Sequence, residues 1–406
     1  MIKKKAINQS NGRGGFFNSM NHSERAHATL SASKASMFLE CTPSIRLGEQ
    51  FEEETSVFAR EGTYMHELSE LYLSYELKQM TKAQLNKKLK QMKKNEFYNS
   101  EIEQAVQSYV DIVVEKINEA RARSKDPLIL IEERLDFSPW VPEGFGTGDV
   151  LIISDGTLEV VDLKGGKGVK VSAENNPQLR LYALGAVNGF GMLYDIQTVL
   201  MTIVQPRLDN ISTDEIQIDD LLEWAECEVK PKAELAFAGE GKFVVGPHCR
   251  WCKAKAACRA RAEENMKLAC LDFQKPQLLT DEEVVEVLTS LDELIIWAKT
   301  VQEYALSMSV NEDKKWPGMK LVEGKGSRKY SDENAVVEAL TAAGYDNDVI
   351  YKKSLNTITA LEKELGKKEF EELLGSLVTK APGKIKLVSE EDKRPELKAS
   401  PEADFQ

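Results

Sequence analysis

Three apolar, β-rich runs between residues 128 and 164 most constrain what this chain can fold into. They read LILIEERLDF, GTGDVLIIS and TLEVVDLK and are broken by proline and glycine. Ser154-Asp155-Gly156-Thr157 separates the last two, and Asp-Gly between apolar runs predicts a two-residue β-hairpin. With Asp155 and Gly156 as the loop, Ser154 pairs with Thr157 and Asp149 falls opposite Asp162. Facing residues on a hairpin point to one side, with Cβ atoms roughly 4.5–5.5 Å apart. Two facing carboxylates repel unless a cation lies between them, and that spacing suits one hard divalent ion. Lys164 follows Asp162 by two residues, so its side chain emerges on the same face.

Two metal-binding carboxylates with a cation beside them fit phosphodiester hydrolysis. That reaction uses a metal to activate water and polarise the phosphate, and positive charge where negative charge develops. A surface hairpin with scattered charges would show the same residues, so the surrounding pattern has to decide.

Around the hairpin the chain reads as follows. Residues 29–125 are mainly helical in pattern, including 65–77 and 102–122, and a helix follows over 177–187. Asn176 suits its N-cap and Pro177 its first turn. A strand is expected at 198–206, helix over 214–238, and a Cys-rich segment over 248–261. Beyond a break at Pro276 come a long helix over 281–308, a turn at Trp316-Pro317-Gly318 and further helices to about 377. This gives a disordered segment at 1–28, a main domain at 29–274, a mainly helical region at 275–381 and a charged tail at 382–406. A chain of 406 residues is long enough for two or three domains.

No secretory leader opens the chain, and the apolar stretch at 181–194 is too short to span a bilayer. The expectation is therefore a cytoplasmic protein without a membrane partner. A net charge of −13 speaks mildly against nucleic acid, although an enzyme needs only a local basic groove. The basic stretch at 324–329 could contact phosphate or form a solvated loop.

Four motifs in order make the hairpin more specific: Gly62-Thr63-Tyr64-Met65-His66, Gly148-Asp149, Asp162-Leu163-Lys164 and Gln178-Leu179-Arg180-Leu181-Tyr182. In this the chain resembles the RecB-like branch of the PD-(D/E)XK nucleases, over roughly residues 30 to 262. The resemblance implies an α/β (α+β) restriction-endonuclease-like core, a mixed sheet flanked by helices, with the mainly helical C-terminal region added. It makes His66, Asp149 and Asp162 ligands of Mg²⁺ or Mn²⁺ and Lys164 the catalytic lysine. Gln178 and Tyr182, four apart on one helix face, would position DNA or that lysine, and Glu70, on the same face as His66, would support the site. The Gly165-Gly166-Lys167 that follows Lys164 departs from the Thr-Gly commoner in the family and leaves the DNA contacts of that loop open.

Cys249, Cys252 and Cys258 form C-x2-C-x5-C, with His248, Cys270, Cys227 and Cys41 as candidate fourth ligands. Zinc is the default for four such ligands. Iron–sulfur nucleases of the AddB type, which the segment from Ser31 to Pro43 resembles, pair one early cysteine with three late ones. That resemblance implies a [4Fe–4S] cluster on Cys41, Cys249, Cys252 and Cys258, closing the domain like a staple.

No Gly-Lys pair is followed by Ser or Thr, so the sequence carries no P-loop motor. The resemblance, extended to a phage and prophage family, implies a DNA exonuclease processing ends for recombination. Its partners would be DNA and a single-strand-annealing protein or a separate helicase. The competing expectation is a non-catalytic iron–sulfur or zinc-stapled DNA-binding scaffold on the same fold.

Overall fold

A computed structural model describes residues 28–51, 56–267, 280–322, 332–344, 351 and 357–378. The expected disordered segment before Ala28, the break at Pro276, Cys270, the basic stretch at 324–329 and the tail at 382–406 lie outside the described residues. The chain divides into two compact units between Tyr304 and Ala305.

The first unit is built on a mixed five-stranded sheet. Its strands are β1 (Leu128–Asp136), β2 (Phe145–Ser154), β3 (Thr157–Leu163), β4 (Thr198–Gln205) and β5 (Asn210–Gln217), in that spatial order. All neighbours are antiparallel except β3 and β4. The hairpin register is the expected one: Ser154 pairs with Thr157 and Val150 with Val161. Asp155 and Gly156 have φ of 48° and 75°, the left-handed pair that a tight type I′ loop requires.

The strands read as nearly continuous apolar runs because both faces of the sheet are covered. On one side Leu151, Ile153, Leu158 and Val160 pack in a core with α1 (Ala35–Glu40) and α6 (Pro177–Phe190). On the other Val150, Ile152 and Val161 meet α3 (Val57–Glu76) and α5 (Ser100–Arg123). Between α1 and α3 lies the short α2 (Ser44–Gly48), and between α3 and α5 lies α4 (Lys82–Met92). The parallel β3–β4 pair needs a crossover, and α6 supplies it. Asn176 caps α6, its side chain accepting from the amides of Gln178 (3.0 Å) and Leu179 (3.3 Å).

The expectation of helix over 214–238 is corrected at its start. Residues up to Gln217 belong to β5, and helix begins with α7 (Ile218–Trp224), continuing through a π-helical turn into α8 (Lys230–Ala238). β5 is an edge strand whose inward side chains are mostly polar because they bind a loop rather than a core. Asn210 Nδ2 donates to Val171 O (3.0 Å), Ser212 Oγ accepts from Ala173 N (2.9 Å), and Asp214 Oδ2 accepts from Asn175 N (3.0 Å). That loop leads directly into α6, so β5 holds the entry to the helix that carries Gln178 and Tyr182.

After α8 come a 3-10 turn at Pro247–Trp251, α9 (Arg259–Met266) and α10 (Asp281–Asn311), which runs across the division between the units. In the second unit Trp316 Nε1 donates to Ala305 O (3.0 Å), and short helices span Glu333–Ala342, Ile358–Leu365 and Lys367–Leu374. Among the described residues no helix is long and apolar enough to cross a membrane.

Candidate metal centre

β1, β2, β3, α3 and α6 bring the expected residues of the four motifs together. His66, from the middle of α3, sets its Nδ1 3.2 Å from Asp149 Oδ1 on β2. Asp149 Oδ2 accepts a 2.6 Å hydrogen bond from the amide of Leu163. The β2–β3 ladder has its last pair at Val150 and Val161, and the Asp149 carboxylate takes up the backbone donor just past it. Asp149 and Asp162 therefore sit where the two strands part.

Glu132 on β1 completes the cluster. His66, Glu132 and Asp149 each offer a ligand atom within 4.8 Å of the other two. An ion with ligands at about 2.0–2.3 Å spans donor atoms up to roughly 4.5 Å apart, so one ion can reach all three with small side-chain movement. Glu132 is missing from the sequence reading. Its only signal was a charge in an apolar strand, one step from the bonded Glu133–Gly148 pair. Its φ of +50° is left-handed, a backbone state that costs a non-glycine residue about 1–3 kcal/mol and is found enriched at functional sites.

Asp162 lies beside this trio rather than within it. Its Oδ2 forms an ion pair with Lys164 Nζ at 2.9 Å. Lys164 Nζ also donates to Gln178 Oε1 (2.9 Å), and Gln178 Nε2 spans Asp162 Oδ1 (3.3 Å) and the Tyr182 hydroxyl (3.2 Å). The Tyr182 ring lies so close over β2 that a Cβ at Gly146 would come within 2.8 Å of it. Glu70 is outside the trio, but its charge helps to raise the Glu132 carboxyl.

Crowded carboxylates shape the electrostatics. Burial first, then the charge of Asp149, pushes Glu132 up to about 7. Burial lowers His66, yet the charge and hydrogen bond of Asp149, with Asp162 and Glu132 behind, carry it up to about 9. Burial and the Asp149 charge raise Asp162 against the pull of Lys164. The hydroxyl of Tyr109 on α5 is buried without a hydrogen bond among the described residues, and after burial the same carboxylates push it upward. Excess negative charge on these crowded carboxylates is what a divalent cation would relieve.

Arg207 was likewise unread in the sequence. Nearly buried in the turn after β4, it pairs with Glu61 of α3, reaches Glu101 of α5 (3.3 Å) and donates to Gly165 O (3.0 Å). It thereby fixes the backbone immediately beyond Lys164.

Cys41, Cys249, Cys252 and Cys258 line one small cavity, while Cys227 is exposed elsewhere. They are not drawn tightly together: among the described residues no three of their sulfurs lie within 4.8 Å of one another. A single zinc ion with sulfurs at about 2.3 Å would gather them to roughly 3.8 Å. The segments that carry them are tied independently, with Thr42 Oγ1 donating to Glu240 O (2.6 Å) and Arg46 Nε to Phe237 O (2.7 Å). His248 lines the same cavity, and hydrogen bonds with Cys249 and then Cys41 push its ring up to about 10. Arg261 is 1% exposed, lines the cavity and pairs with Glu293, yet its Nε has no partner among the described residues.

Among solved structures, one named "Crystal structure of SSO0001" is similar at 15% identity, over 56% of this chain and 96% of that chain, with a TM-score of 0.22. A family model described as "Protein of unknown function (DUF2800)" matches residues 27–395, and the chain belongs to that family.

Proposed function

We propose that this chain is a divalent-metal-dependent deoxyribonuclease of the RecB-like PD-(D/E)XK type, processing DNA ends in phage-type recombination. The convergence of His66, Glu132 and Asp149, whose ligand atoms lie within 4.8 Å of one another, carries the reading. These three residues, with Asp162 beside them, would hold Mg²⁺ or Mn²⁺. Such an ion supplies the charge that makes water a nucleophile at neutral pH and polarises the phosphoryl oxygen. Lys164, steered by Asp162 and Gln178, presents its ammonium where negative charge grows on the phosphate. Gln178 keeps that ammonium in place by bridging Asp162 and Tyr182.

The same reading places a [4Fe–4S] cluster on Cys41, Cys249, Cys252 and Cys258. What supports it is that the four cysteines line one shared cavity. The cluster would be structural, closing residues more than 200 apart in sequence. Partners would be DNA and a single-strand-annealing protein or helicase on a separate chain.

The test is incubation of anaerobically purified protein with end-labelled linear and circular DNA, with and without Mg²⁺ or Mn²⁺. Metal-dependent loss of the linear form is expected, and Asp149→Ala, Asp162→Ala and Lys164→Ala should abolish it while leaving the protein folded. Cleavage at the wild-type rate by folded Asp162→Ala would remove the assignment. DNA binding without any cleavage would favour the scaffold reading.

A further inference from the structure

Seven lysines and no carboxylate fall between Lys78 and Asn95, in a chain whose net charge is −13. All seven are exposed, and only Lys93 forms an ion pair among the described residues, with Glu103 at 3.2 Å. Most belong to α4. Leu85 is buried and Leu89 and Met92 partly so, forming the inward stripe, which puts Lys87 and Lys90 on the opposite face. A solvated surface helix ordinarily mixes both signs of charge along its outer face. This one does not.

α4 is also placed next to the candidate centre. It packs on α3, the helix that carries His66, where the Tyr64 hydroxyl donates to Met92 O (3.1 Å). A surface groove between the two helices is lined by Glu67, Glu70 and Ser74 from α3 and by Lys88, Gln91 and Met92 from α4. Glu70 is common to both places, because its charge also bears on Glu132. Lys88, on the flank of the lysine-bearing helix, and Glu70, one turn beyond His66 on α3, therefore line the same groove.

We propose that the lysine face of α4 is a docking surface for the phosphodiester backbone of a nucleic acid, delivering the strand toward His66 and Asp149. The choice of partner rests on the nuclease reading. The surface reads no base sequence: lysine ammonium groups meet phosphates as point charges and release condensed counterions on binding.

The test is equilibrium binding of the full chain to a 20-mer duplex and to a 20-mer single strand, followed by anisotropy in Ca²⁺ from 50 to 300 mM salt. Wild type is compared with the triple variant Lys87→Gln/Lys90→Gln/Lys94→Gln, which leaves the Leu85 stripe and the Lys93–Glu103 pair intact; matching circular dichroism and unfolding midpoints certify its fold. The expected result is a weaker affinity and a salt-dependence slope smaller by about 2.7 on duplex, or by about 2 on single strand, one increment per lost phosphate contact. An affinity and slope unchanged in the folded variant on both DNAs, or no binding by wild type at 50 mM salt, would overturn the proposal. Cleavage by wild type with an unchanged slope removes only the docking surface. A reduced slope in a protein that never cuts DNA removes only the nuclease reading.

Discussion

The carboxylate of Asp149 accepts the backbone amide of Leu163 at 2.6 Å, so this side chain takes up a β3 donor where the β2–β3 ladder ends. One oxygen is thereby fixed to the sheet and the other is left facing His66 at 3.2 Å. The residue is oriented by the strand it helps to separate, and Asp162 and Lys164 lie just across the gap.

Glu132 is the member of the candidate metal centre that the sequence did not announce. Glu132→Gln should weaken Mn²⁺ binding at least tenfold, comparable to losing Asp149, because it removes one of three converging ligands. Calorimetric titration of Mn²⁺ into the two variants is the measurement. Wild-type affinity in Glu132→Gln would return the third position to Asp162.

Gln178 touches Lys164, Asp162 and Tyr182, but is not one of the three converging ligands. Gln178→Ala should keep Mn²⁺ affinity within about twofold and lower the DNA cleavage rate by about 10²-fold, the size typical of losing a positioning group. Tyr182→Phe should do less, since it removes one hydrogen bond to the glutamine. Loss of metal in Gln178→Ala would show that the amide supports the ligands instead.

At the cysteine cavity, Cys41→Ala should lower iron and sulfide per chain as far as Cys249→Ala does, although Cys41 has no cysteine near it in sequence. Cys227→Ala should change neither. Arg261→Met should retain the four sulfurs yet hold the cluster poorly, because a buried cation beside it is lost. Metal analysis and the visible absorption of anaerobic protein read all four. Stoichiometric zinc without iron in wild type would replace the cluster with a zinc site.

Glu103 predicts the direction of the acid response. The Tyr98 hydroxyl donates to it most strongly, with Tyr72 (3.0 Å) and Lys93 (3.2 Å) adding to the pull, and together they hold the carboxyl below its ordinary value. A carboxyl depressed in the folded state contributes stability above its unfolded pKa, near 4.3, and loses it as pH falls through the folded value. Glu103→Gln should therefore lower the unfolding midpoint by roughly 2–4 °C at pH 7, for about 1 kcal/mol after solvent screening. The two proteins should converge near pH 3. A gap that persists at pH 3 would mean that packing, not charge, is what the substitution removes.

Local chemistry alone determined the hairpin and its register, because Asp-Gly tolerates the two left-handed residues of a tight loop and sits between two apolar runs. It also determined the start of α6, where Asn176 and Pro177 form a complete N-terminal signal, and it placed Asp162, Lys164, Gln178 and Tyr182 at spacings that bring them together. Tertiary structure decided the rest. β5 carries polar side chains inward because they bind the loop before α6, so its pattern did not look like a buried strand. Glu132 enters the candidate metal centre only because β1 pairs with β2 in one register, and a charge inside an apolar run does not say which strand will lie beside it. Cys41 comes to line the same cavity as the other three cysteines through the packing of the segment after α1 against the end of α8, a contact between residues nearly 200 apart that no local pattern encodes.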